Sequence, residues 1–142
     1  MTTVRIIATA AFLSLAGAAA AQSLSGSELV NDQFRQFESA GPESILGRYS
    51  GRLNHAESAT GTFIVPAGSP ALVRGFCDER CSNLDLVVRD AAGNEVGADL
   101  EGNDQPMVLV LPGAGGSHTV EIRMSACSSP CEWGTRVYAD LR

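Results

Sequence analysis

Phe76-Cys77-Asp78-Glu79-Arg80-Cys81-Ser82-Asn83-Leu84-Asp85-Leu86-Val87-Val88-Arg89-Asp90 joins a cysteine pair, an acidic cluster and a strand in one stretch. Leu84, Leu86 and Val88 share a face while Asp85 and Arg89 oppose them, the two-residue period of a half-buried strand. Asp90-Ala91-Ala92-Gly93-Asn94 follows with turn chemistry. Runs of the same kind recur on both sides. Residues 46–53, 59–65 and 71–77 precede it, and 95–97, 107–111, 119–125 and 132–141 come after. Gly61, Phe63 and Val65 alternate against Thr60 and Thr62, and Val120, Ile122 and Met124 against Glu121 and Arg123. Met107–Leu111 is a continuous apolar run between Pro106 and Pro112, which reads as a buried strand. Gly and Pro cluster between the runs, as in Pro66-Ala67-Gly68-Ser69-Pro70. Seven or eight short strands in about 100 residues predict an all-β antiparallel sandwich over residues 46–142.

The chain before this sandwich reads differently. Arg5, an apolar run to Leu15 and the small residues Gly17-Ala18-Ala19-Ala20-Ala21 have the form of a secretory leader, cleaved before Gln22. The apolar run falls short of the roughly 20 residues a membrane span needs. Residues 22–45 then form a helix and linker. Ser25 and Glu28 have the spacing of a capping box. Val30, Phe34 and Phe37 fall on one helical face, and Gly41-Pro42 ends the helix. The opposite face carries Asp32, Gln33, Gln36 and Glu38 rather than the basic residues of a membrane-lying helix. The two Phe are therefore expected to anchor the helix on a sheet or a partner.

Charge narrows the partners. The sequence has no Lys, and nine Arg beyond residue 21 against sixteen acids leave −7. Nucleic acid and anionic lipid surfaces both require concentrated basic residues, so neither is expected. Four Cys in an exported chain point to two disulfides with three possible connectivities. The CxxxC spacing occurs at Cys77/Cys81 and Cys127/Cys131, each in its own predicted turn. That favours the local pairs Cys77–Cys81 and Cys127–Cys131. A four-thiolate zinc site would want tighter spacing and a reducing compartment.

Asp78, Asp85 and Asp90 around the first cysteine pair are the candidate calcium ligands, since calcium takes carboxylate and loop-carbonyl oxygens. Asp99, Glu101 and Asp104 follow in the next loop. The spacing is not that of an EF-hand, and a solvated acidic rim is the competing reading. Asp85 has a structural alternative, pairing with Arg80 or Arg89 or accepting backbone N–H bonds in the disulfide loop. His55 and His118 both fall in predicted turns beside Ser58 and Ser117, with no motif framing a nucleophile. No catalytic residue is assigned. Trp133 and Tyr138 alternate to opposite faces of the last strand. Exposed, they would grip a sugar ring or a protein, but a lone Trp beside a disulfide reads as core.

The order of these motifs resembles bacterial pre-peptidase C-terminal domains. Thr62-Phe63-Ile64-Val65-Pro66-Ala67-Gly68 leads into Cys77-Asp78, Asn83-Leu84-Asp85-Leu86 and Gly93. Closer still is the resemblance to small secreted proteobacterial proteins with such a domain and added cysteines, carried by Cys77-Asp78-x-x-Cys81 and Cys127-Ser128-Ser129-Pro130-Cys131. The resemblance implies a jelly-roll-like sandwich without catalytic residues. Calcium binding through acidic loops also occurs in such domains. The expectation is a non-catalytic, monomeric, periplasmic or secreted module that binds an envelope or secreted protein or glycan. Its contact surface would be an apolar patch left by the helix, or the acidic rim. The alternatives are a calcium-stabilised structural or adhesion module and a small hydrolase using His55 or His118.

Overall fold

The computed structural model describes residues 22–42 and 44–141; the export leader read in residues 1–21 lies outside the described residues. Helix α1 spans Gly26–Glu38. Eight strands follow: β1 Ser44–Leu53, β2 Ser58–Val65, β3 Ala71–Cys77, β4 Cys81–Arg89, β5 Glu95–Asp99, β6 Met107–Val110, β7 Gly116–Cys127 and β8 Cys131–Ala139. They form two four-stranded antiparallel sheets in the orders β1-β8-β3-β6 and β2-β7-β4-β5. Every connection except the β4–β5 hairpin therefore crosses from one sheet to the other, which is the jelly-roll arrangement.

Period-two burial builds the core between the sheets. Val73, Trp133 and Val137 from the first sheet share one apolar cluster with Leu84, Leu86, Ile122 and Met124 from the second. Trp133 points inward, as read from the sequence, while Tyr138 points outward and is buried beneath α1.

The cysteines stand at strand ends rather than in loops. Cys81 pairs directly with Cys127 in the β4–β7 ladder, which draws both strands out to their cysteines. The disulfides are Cys77–Cys81 and Cys127–Cys131. Each closes a crossing between sheets, β3 to β4 and β7 to β8, at the same end of the sandwich. A five-residue closed loop contributes about 2 kcal/mol by restricting the unfolded chain. Disulfides of this kind are those of an oxidising compartment and are consistent with an exported protein.

Helix α1 lies on the outer face of the first sheet. Val30 and Phe34 are buried against Phe76, with Phe34 and Phe76 meeting edge to face at 4.7 Å. Gly134 makes the approach possible, because a Cβ there would stand 2.7 Å from the Phe34 ring. Arg136 lies over the Phe34 ring at 4.1 Å and pairs with Glu38 at 2.6 Å. The expected capping box does not form: Ser25 is the N-cap without a side-chain cap bond. Its place is taken by a tertiary contact, the Gly26 N–H donating to Glu79 Oε2 at 2.8 Å. A carboxylate from the first disulfide loop thus serves the helix start, where negative charge is favoured.

Phe34→Ala should cost about 3–5 kcal/mol, measured as a lowered urea midpoint. A loss no larger than that of an exposed substitution would mean that α1 contributes nothing to stability. A second outcome follows from Tyr138, whose hydroxyl donates to Glu38 Oε1 at 3.0 Å. Burial, and then the Glu38 carboxylate, raise its pKa above the ordinary 10.0. A raised folded value means that its contribution is complete below about pH 10 and is lost as pH rises through the folded value. Burial raises Tyr49 as well, so tyrosinate absorbance should show both tyrosines ionising late, with loss of helix docking accompanying the Tyr138 step and absent in Tyr138→Phe.

Candidate protein-binding face

Strand β6 departs most from its sequence reading. Met107–Leu111 reads as a buried strand, yet only Val108 and Val110 are buried, while Met107, Leu109 and Leu111 are 49%, 51% and 71% exposed. The reason is topological. β6 is the edge strand of the first sheet, paired on one side with β3. Helix α1 packs over β8 and β3, so β6 keeps one apolar face in the core and presents the other to solvent. Among the described residues, five of the seven exposed large hydrophobics fall between positions 96 and 111: Val96, Leu100, Met107, Leu109 and Leu111. Scattered exposed apolar residues are ordinary, but Met107, Leu109 and Leu111 recur at every second position along one edge strand and its end, and such a row marks a contact surface.

The set is bordered by carboxylates. Asp99 closes β5, with its Oδ2 accepting the Met107 N–H at 2.8 Å and its Oδ1 the Glu101 N–H at 3.2 Å. Glu101 and Asp104 follow in the same connection. Toward α1 the floor is β3, where Leu72 stands opposite Leu109 and Arg74 opposite Met107. A groove of about 240 Å³ runs there between the helix and the sheet. The Arg74 guanidinium lies over Phe76 at 4.7 Å and Phe37 at 5.5 Å and donates to the Gln105 carbonyl at 2.8 Å. Two buried polar atoms border the groove without a protein partner, Arg74 Nε and Gln33 Oε1.

The three candidate calcium ligands do not share a site. Asp78 and Asp90 flank opposite ends of β4, whose nine residues separate them by roughly 25–30 Å at strand rise. Each is engaged where it stands. Asp78 is 1% exposed, pairs with Arg80 at 2.5 Å and accepts the backbone N–H of Glu132 at 2.8 Å. The structural role read for Asp85 therefore belongs to Asp78. Asp85 instead accepts the Ser125 hydroxyl across the β4–β7 ladder. Asp90 Oδ1 accepts the Asn94 and Ala92 N–H groups at 2.9 and 3.0 Å, and these bonds, Asn94's first, hold its carboxyl below the usual 3.8. Among the described residues no group of three or more His, Cys, Asp or Glu is placed to hold a metal ion.

The histidines are likewise apart. His55 is exposed in the β1–β2 turn. His118 is not the turn residue expected: β7 begins at Gly116, and His118 alternates with Val120 into the interior, stacked on Phe63 at 5.7 Å. It pairs with Phe63 in the ladder, so the stretch from Ser58 to Phe63 puts about 17 Å of strand between the two imidazoles. Positive φ at Gly115 and Gly116, 71° and 93°, makes the turn that starts β7 early.

No protein-family model matches the chain, and no curated protein matches it. Among solved structures, the Aeromonas hydrophila PliG, a periplasmic inhibitor of g-type lysozyme, is similar at a TM-score of 0.47 and 16% identity, over 68% of this chain and 88% of that one. A likeness at that level carries no argument about function.

Because Asp78, Asp85 and Asp90 are separated, millimolar calcium and a chelator should give the same thermal midpoint. A calcium-dependent rise of several degrees that Asp85→Asn abolishes would show that the acids act together after all.

Proposed function

We propose that this protein is a non-catalytic binding module of the cell envelope or its exterior, and that it captures a cationic partner protein along β6. The observation that carries the reading is the uncovered row Met107, Leu109 and Leu111 beside Asp99, Glu101 and Asp104. Apolar side chains supply most of the energy of such contacts, while the surrounding charges select the partner and speed the encounter. An overall charge of −6 repels a second copy of the chain and attracts a basic protein. The resemblance to pre-peptidase C-terminal domains supports the same picture, an accessory role exerted on a separate partner.

A photo-crosslinking residue placed at position 109 in cells making the protein should trap a basic exported protein. The same residue at Thr60, on the exposed face of β2, should not. With the trapped partner purified, Leu109→Asp should weaken binding at least about tenfold, or 1.4 kcal/mol, without changing the unfolding midpoint, and added salt should weaken it further. Equal trapping at positions 109 and 60, or full affinity in Leu109→Asp, would overturn the proposal.

A further inference from the structure

The end of the sandwich away from the disulfides opens into a cleft of about 350 Å³, within the range of small-ligand sites. Its walls include Val65 and Val110, which are buried, and Leu111, which stands at 71% exposure. Two polar side chains reach it, His118 and Asp90, on strands of the second sheet and its hairpin. His118 is 6% exposed and held by two contacts, the stack on Phe63 and a bond from Nδ1 to the Gly116 carbonyl at 2.9 Å. A carbonyl oxygen only accepts, so Nδ1 carries the proton, and in the neutral ring Nε2 is left as an acceptor. Asp90 spends Oδ1 on the Ala92 and Asn94 N–H groups, while Oδ2 has only the long 3.5 Å contact from the Asn94 amide.

Both side-chain groups left free at the cleft are thus acceptors, one of them ionised, set among apolar walls. We propose that the cleft binds an organic cation, an amine, amidinium or guanidinium group carried on an apolar body. The cation meets Asp90 Oδ2 and His118 Nε2, and its body packs on Val65, Val110 and Leu111. A free amine and an arginine side chain of a protein share this chemistry. The inference shares Leu111 with the β6 reading but rests on a different polar pair, Asp90 and His118.

The test is an NMR titration of the oxidised protein spanning residues 22–142 with benzamidine, with N-acetylarginine methylamide and with neutral benzamide. Saturable shifts of the His118 ring and the Gly115 and Gly116 amides are expected with one or both cations and not with benzamide. Tighter binding of the arginine derivative would assign the site to a protein side chain, and tighter binding of benzamidine to a free amine. Asp90→Asn keeps an oxygen for the turn but removes the charge, and His118→Phe keeps the stack but removes the acceptor. Each should weaken binding about tenfold or more. Equal binding of benzamide, no saturable shift with either cation, or full affinity in Asp90→Asn would overturn the proposal. The Asp90→Asn arm decides the matter even if His118→Phe does not fold.

Discussion

Asp78 is the residue on which the disulfide end of the molecule depends. Its carboxylate is out of water, 1% exposed, where a lone charge would be costly. It is satisfied by the Arg80 guanidinium and by backbone N–H groups of Arg80 and Glu132. Its own N–H donates to the Glu132 carbonyl at 3.0 Å. One side chain therefore joins the first disulfide loop to the start of β8, immediately after the second disulfide. The Ser128 N–H completes the junction by donating to the Arg80 carbonyl at 3.1 Å. Removing the partly exposed Arg80 guanidinium would leave this buried carboxylate with its backbone donors alone. This carboxylate joins the local closures made by the two disulfides from the β3–β8 side, as the Cys81–Cys127 ladder pair does from the β4–β7 side.

The helix depends on the same end. Glu79, next to Asp78, accepts the first helical N–H, and the phenylalanines then settle α1 across β3 and β8 over Gly134. Thirteen residues of helix cover only the middle of the sheet, and the edge beyond them is left open. The exposed row on β6 is thus a consequence of where α1 is fastened. Its acidic border comes from the same chain segment, whose connection back to β6 is held by backbone bonds such as Leu84 N–H to the Asn103 carbonyl at 2.9 Å.

Charge gives the two ends of the surface a common character. The β5–β6 connection places Asp99, Glu101 and Asp104 at one end of β6. Asp90 and the His118 acceptor stand near the other, by Leu111. Both favour positive groups. In a chain without lysine, whose arginines are in several cases already paired with carboxylates, that preference is left for something outside the protein.

Much of this was legible in the sequence because it rests on local physics. Alternation placed most of the strands and the inward Trp133, helical spacing placed the face of Val30 and Phe34, and cysteine spacing favoured the two short-range pairs. These follow from the fixed two-residue and 3.6-residue periods of side-chain direction and from the short reach of a five-residue loop. The order of strands decided the rest. Sequence neighbours in this fold lie mostly in opposite sheets, so nothing local marks β6 as an edge or says that α1 stops short of it. Nor does local sequence tell a carboxylate near cysteines that it will lie under β8, as Asp78 does, or at the far end of a strand, as Asp90 does. A run of five apolar residues reads as buried on both faces until the sheet it joins is known, and only the tertiary structure leaves Met107, Leu109 and Leu111 facing water.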